Sequence, residues 1–307
     1  MNPKMVRRRK SSGAVGEKRI DIFSVCIYLI LGIWALLIIL PFLNVLVISI
    51  TTEGEYVRTP LLIFPQDPTF DSYKALFADG RIWIGYRTTL IILCLGLPVN
   101  MFLTVCTAYA LSRPPFPGKK FLMLYALFTM FFSGGIVPLH LLIKSLSLTN
   151  TIWSVVLASG INTFYFIIMR NYFMSLPEAL VESAKIDGAN EWTILFRIIL
   201  PLSAPIIATV TLFYAVDRWN EWFNAMVFIR NTEMTPLQLV LRSIVIEAQM
   251  VDSSAMGGSM AASESMSRFA QGMKMAAVFV TMAPIMVVYP FLQKYFVKGV
   301  LVGAIKA

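Results

Sequence analysis

The chain has 307 residues, of which 57% are apolar and only 14% charged, with a formal net charge of +9. Soluble domains run at roughly 45–50% apolar and about 25% charged, and a mean hydropathy of +0.72 lies well on the apolar side of that range. Six membrane crossings of about 20 residues need about 120 apolar positions, fewer than this composition supplies, so disorder, a disulfide scaffold and an ordinary soluble enzyme are excluded. The sequence reads as a polytopic membrane protein.

Taken in chain order, residues 1–21 hold seven of the 26 Lys and Arg: Lys4, Arg7, Arg8, Arg9, Lys10, Lys18 and Arg19. The apolar run Ile22–Ile50 follows. It exceeds the roughly 7–15-residue core of a cleaved signal peptide and lacks a small-residue cleavage site, so it reads as a retained first span behind a basic cytoplasmic tail. Five more runs follow: Ile82–Leu111, Phe121–Ile143, Ile152–Phe173, Ile198–Trp222 and Met275–Phe296. Each is expected to be helical, because lipid offers no partners for open backbone groups. Ser133-Gly134-Gly135 and Pro138 predict that the third ends early and continues as a short outer segment.

The expected fold is therefore all-α, with six spans and both termini in the cytoplasm. The plan is a basic tail over 1–21, a transmembrane domain over 22–297 and a cytoplasmic tail over 298–307. The inner segments 1–21, 112–120, 170–197 and 294–307 hold 16 of the 26 basic residues, as the positive-inside rule requires. That placement assigns the charge to a membrane surface and leaves no nucleic-acid arm. No internal repeat is evident, which suits half of a transporter better than a self-contained carrier. An outer loop over 223–273 is long for a connection without a task, and its stretch Ser253–Ser267 is rich in Ser, Gly, Ala and Met.

Soluble-enzyme chemistry finds little here. Cys26, Cys94 and Cys106 lie in apolar runs without a C-x-x-C pair and read as small buried hydrophobes. A single histidine, His140, has no partner for a metal site or a nucleophile–His pair. No catalytic residue and no metal ligand emerges, and no phosphate-binding G-x-x-x-x-G-K-[S/T] run is present.

The inner loop 170–197 is unusual in carrying four acids, Glu178, Glu182, Asp187 and Glu191, against three bases. Ser175 and Glu178 have the spacing of a capping box, Pro177 suits a first turn, and Gly188 suits a left-handed helix end. Together they predict a short helix over Leu176–Ile186, with Leu180 and Ala184 on one face and Glu178 and Glu182 on another. An acidic surface helix is repelled by anionic lipid, so a protein partner fits it better.

These residues resemble the EAA motif of ATP-binding-cassette (ABC) importer permeases. Glu182-Ser183-Ala184 is followed by Gly188 and then by Ile198-Ile199-Leu200-Pro201 at the family's spacing, with Ser183 a small-for-small replacement. Ile186-Asp187-Gly188-Ala189, Ala108–Arg113, Phe116–Lys119, Leu148–Thr151 and the tail 298–306 are similar to the carbohydrate-uptake, maltose-type branch. The resemblance implies a permease subunit that moves oligosaccharides from an extracellular binding protein across the cytoplasmic membrane by alternating access. It implies a homologous second permease and a dimer of ABC ATPase subunits as partners, with ATP and Mg held there and no cofactor in this chain. Glu182, Ser183, Ala184, Asp187, Gly188, Ile198, Leu200 and Pro201 would form the coupling segment that sits in an ATPase cleft. Pro201 and Pro205 would leave backbone groups free near the start of the fifth span, a place for rocking. A peptide or amino-acid permease is the nearer alternative, and a membrane sensor or scaffold the more distant one.

At the far end of the fifth span, Asp217, Arg218, Trp219, Asn220, Glu221 and Asn224 form a polar and aromatic stripe. Asp217 with Glu221 and Asn220 with Asn224 stand at i, i+4. Carboxylates and amides beside aromatic rings suit a sugar pathway. The same residues also suit an interfacial belt, with Arg218 snorkelling outward. Arg87, near the start of the second span, is open to the same two readings.

Overall fold

In the computed structural model, residues 22–59, 64–114, 116–255 and 270–304 are described, and all regular structure among them is helical. The chain divides into two units, 1–44 and 45–307. In the first, helix α1 (Ile22–Ser49) begins, an almost wholly apolar stretch with its Ile, Leu, Phe and Trp side chains exposed. A helix apolar all round suits a lipid surrounding.

The second unit begins with the last turn of α1, where the Ser49 hydroxyl meets Tyr73 Oη at 2.8 Å. The short helices α2 (Glu53–Arg58) and α3 (Asp71–Ala78) lead to α4 (Gly80–Ser112). Asp79 caps α4 by accepting from Arg81 N–H, in the manner expected of an N-cap aspartate. Then come α5 (Lys119–Phe131), α6 (Ile136–Ser145), α7 (Ile152–Ala158), α8 (Thr163–Met174) and α9 (Ala179–Ile186). Next, α10 (Glu191–Ile194) runs through a π turn at Leu195–Ile199 into α11 (Leu200–Leu202) and α12 (Ala204–Trp219). The unit closes with α13 (Phe223–Phe228), α14 (Leu237–Ala255) and α15 (Ala270–Ala304).

Three helices are each long and apolar enough to cross a membrane: α1, α4 and, in α15, Ala270–Pro290. Three further candidates are bent pairs, α5 with α6 at 118°, α7 with α8 at 56°, and Glu191–Leu202 with α12 at 86°. Counting each pair as one crossing gives up to six by length and composition. The early stop of the third run is as expected, since the chain leaves the helix at Phe132 and turns at Gly135 with φ +86°.

Three expectations are corrected. The fourth run is not one helix, because residues 159–162 break it between α7 and α8. The fifth does not begin at Ile198: a separate segment from Glu191 meets α12 at a sharp elbow on the buried Ser203, between Pro201 and Pro205. Pro201 has no N–H for the carbonyl four residues back, and the preceding turn widens to π. Finally, 223–273 is not simply a loop, since it contains α13 and the 19-residue α14, whereas residues 256–269 of its Ser- and Met-rich stretch lie outside the described residues. The thiols differ as well, for Cys26 and Cys94 are exposed rather than buried.

The main apolar core gathers Val105, Ala108 and Tyr109 of α4, Phe166, Met169 and Phe173 of α8, and Ile206, Val210 and Tyr214 of α12. Val181 and Ala184 of α9, with Ile194, Leu195 and Ile199 beyond it, complete the same cluster. A second cluster packs α3 and α4 against α14 and α15 through Leu76, Ile82, Leu237, Ile244 and Ala277.

The turn between α5 and α6 yields a test. Gly135 has φ +86° and ψ 175°, a region essentially closed to residues with a Cβ, at a cost of about 1–3 kcal/mol. Gly135→Ala should lower the melting temperature of the detergent-purified protein, whereas Gly134→Ala, into open space with no positive φ, should leave it near the parent value.

Candidate functional site

The first group of candidate residues lies in segment 175–197. Ser175 is still in the last turn of α8 and donates to the Tyr172 carbonyl at 2.7 Å. The expected capping box is therefore not formed: Glu178 stands at the N-cap of α9 without a side-chain bond, and the helix starts at Ala179 rather than Leu176. Val181 and Ala184 make its buried face, whereas Leu180 is 41% exposed, so the buried stripe lies to one side of the Leu180–Ala184 line. Glu178, Glu182, Ser183 and Asp187 are exposed.

The C-terminal end matches the sequence expectation closely. Gly188 has φ +80°, its N–H donates to the Lys185 carbonyl at 3.0 Å, and Ala189 N–H donates to the Ala184 carbonyl at 2.9 Å. This is the bonding of a Schellman end, which favours glycine at the left-handed position. Asn190 then caps the next segment by accepting from Thr193 N–H. Glu191 ties the whole loop down: Oε1 lies 2.7 Å from Lys185 Nζ, and Oε2 accepts from Tyr109 Oη at 2.5 Å. The segment therefore presents an acidic outer surface on a helix whose opposite face is continuous with the main core. Ile198 and Leu200 are half-buried and Pro201 is exposed at the elbow. Tyr109 was not singled out in the sequence. Its partner is 82 residues away, and no local pattern signals it.

The second group is the stripe at the end of α12, and here the helical spacing fails. Asn220 is the C-cap of α12 and α13 starts only at Phe223, so the two i, i+4 pairs do not share a helix face. Instead, Glu221 accepts from Asn224 N–H and Nδ2 at 3.0 and 2.9 Å. Asp217 accepts from Tyr165 Oη at 2.9 Å. Asn220 accepts from Gln238 Nε2 of α14 at 3.3 Å. Trp219 faces elsewhere, donating its indole N–H to the Thr281 carbonyl and meeting Tyr86 edge-on. Trp222, absent from the expected set, carries the Arg242 guanidinium 4.5 Å above its ring.

Arg218 departs furthest from expectation. It does not snorkel: it is 3% exposed, and all five of its N–H donors are used inside the protein. Nε donates to Asn100 Oδ1, and the two terminal nitrogens donate to the carbonyls of Val155, Val156 and Ser159 and to Ser159 Oγ, all between 2.9 and 3.1 Å. A guanidinium so committed has no donor left for a substrate. Arg218 also lines a cavity of about 110 Å³, together with Ser159, Ile161, Asn162, Tyr214, Asp217 and Glu221. Arg87 is exposed on α4, away from these contacts.

Outside these two groups, the approach to α4 carries a polar link of its own. Arg81 pairs with Asp79 at 2.8 Å and, from α4 to α14, with Glu247 at 2.7 Å. Burial raises the Asp79 carboxyl, but the hydrogen bonds and charge of Arg81 outweigh it and hold the group below the usual carboxylate range. Among the described residues, no cluster of His, Cys, Asp and Glu is suited to a metal ion.

Comparison with known proteins places this arrangement. Residues 82–302 match the family model described as binding-protein-dependent transport system inner membrane component. The polygalacturonan/rhamnogalacturonan transport system permease protein YtcP of Bacillus subtilis (strain 168) is 39% identical, over 93% of this chain and 98% of its own. Protein LplC of the same organism is 40% identical over 93% and 95%. The crystal structure of a bacterial ABC transporter involved in the import of the acidic polysaccharide alginate superposes with a TM-score of 0.79 at 30% identity, covering 91% of this chain and 98% of that one. A chain whose described regular structure is all helical, with several apolar helices and a match to that family over most of its length, is a transport subunit and not an enzyme: it belongs to the binding-protein-dependent transport system inner membrane components and is an ABC transporter permease.

Proposed function

We propose that this permease is one of two transmembrane subunits of an ATP-driven importer of oligosaccharides. The observation that carries the reading is near-full-length identity to a permease named for polygalacturonan and rhamnogalacturonan. The alginate importer, also named for an acidic polymer, agrees with it. A homologous second permease, a dimer of ABC ATPases holding ATP and Mg, and an extracellular binding protein complete the assembly. The chain sits in the cytoplasmic membrane with six spans and both termini inside, three of those spans being the bent pairs.

In this reading, α9 is the coupling helix. Its Val181–Ala184 face is built into the core, and its exposed Glu182, Ser183 and Asp187 face the ATPase cleft. Closure of the ATPase dimer is passed to α8 and α12 through that shared core, with the Ser203 elbow as a site of motion. The substrate pathway passes the cavity between the α7–α8 break and α12, with Asp217 and Glu221 offering acceptors to hydroxyls and Asn224 holding Glu221 in place. The segment 223–273 contacts the binding protein.

Two experiments test this. Cells lacking the chain should lose uptake of oligogalacturonates and regain it when the gene is restored. Retained uptake of every acidic and neutral oligosaccharide in the deletion strain would remove the assignment. Gly188→Asp adds a side chain at φ +80° and a further negative charge beside Asp187, so the complex should still reach the membrane while binding-protein-stimulated ATP hydrolysis in proteoliposomes falls several-fold. Parent-level stimulation would refute the coupling role.

A further inference from the structure

A helix broken inside a bilayer leaves carbonyl and N–H groups that lipid cannot satisfy. At the α7–α8 break those groups are met by three side chains from two other helices, with a fourth, Thr104, holding one of the three in place. Arg218 takes the carbonyls of Val155, Val156 and Ser159. Asn100 donates both Nδ2 hydrogens, to the carbonyls of Ser159 and Gly160 at 2.9 and 2.7 Å, and its Oδ1 receives Arg218 Nε. Tyr214 Oη accepts Asn162 N–H at 2.9 Å and is itself held by Thr104 Oγ1 at 2.7 Å. Asn100 and Thr104 are one turn apart on α4, as are Tyr214 and Arg218 on α12. Residue 96, one turn before Asn100, is glycine, and a Cβ there would lie 2.9 Å from Arg218 Nε.

The node is also asymmetric. Arg218 is flanked in sequence by the two carboxylates of the cavity, Asp217 and Glu221, and Glu221 lies 4.0 Å away as the nearer counter-charge. Displacing the guanidinium would shift the break on one side and the placement of both carboxylates on the other. Lysine cannot replace it, because three donors on one nitrogen cannot span acceptors spread over residues 100, 155, 156 and 159.

We infer that Arg218 is a positioning residue for transport, a clamp that joins α12 to the break in the preceding helix pair and so fixes the wall of the pathway without touching substrate. The inference rests on the pathway reading above for its consequence in transport, but the clamp itself is measurable without any saccharide.

The test uses the full importer in membranes, with Cys26, Cys94 and Cys106 replaced by serine and a reporter Val156→Cys at the fully buried end of α7, where the carbonyl of residue 156 is held by Arg218. Arg218→Lys should raise the rate of reporter labelling by a small maleimide about ten-fold. Gly96→Ala keeps the charge but pushes on the guanidinium, and it should raise the rate several-fold. Uptake of a galacturonate trisaccharide, normalised to the amount of assembled complex and measured with native Val156, should fall at least ten-fold in Arg218→Lys. Parent-like labelling in both variants would overturn the clamp. Raised labelling with unchanged uptake per complex would overturn its role in transport and leave the importer assignment standing. If Arg218→Lys fails to assemble, Gly96→Ala decides, and parent-level labelling and uptake in that variant overturn the proposal.

Discussion

The dominant constraint on this protein is that a backbone inside lipid must satisfy its own polar groups. Continuous helices such as α1 and α4 meet it along most of their length, Pro41 and Pro98 each withholding one N–H. The break between α7 and α8 cannot, and there polar side chains reach across from α4 and α12. Arg218 is the extreme case, with every donor committed and its nearest carboxylate too distant for a hydrogen bond. A buried charge of this kind is costly unless it is fully paired and hydrogen-bonded, so its presence marks a place where a bend is worth more than an unbroken helix.

The same logic links the two ends of the unit. From Val181 and Ala184 on α9 the apolar core runs through α4 and α8 to Tyr214 on α12, and from Tyr214 the hydrogen bonds continue to Asn162 and the break. A close-packed interior is not readily deformed. A displacement of α9 therefore acts on the elements that hold the cavity. The elbow at Ser203 interrupts this rigidity: its buried hydroxyl has no partner, and prolines stand two residues to either side.

Much of segment 175–197 was legible in the sequence because its determinants are local. Gly188 ends a helix through bonds that span five residues, and the acidic character of 170–197 is a count along the chain. The capping box was misread for an equally local reason, since Ser175 belongs to the turn before it and serves Tyr172. The stripe at the end of α12 was legible in composition but not in geometry. Helical spacing was carried past Trp219, where the helix ends, so Asp217 and Glu221 were paired with each other rather than with Tyr165 and Asn224.

By itself the sequence determined the solvent, the helical class and the acidic, glycine-ended helix of segment 175–197, because hydropathy, charge balance and turn residues act within a few positions. Only the tertiary structure decided where the fourth and fifth runs break and what Arg218 does. An apolar run looks the same to a hydropathy count whether or not its carbonyls are satisfied within it. The partners that permit the break at 159–162 stand at residues 100, 104, 214 and 218, and only folding brings them to it.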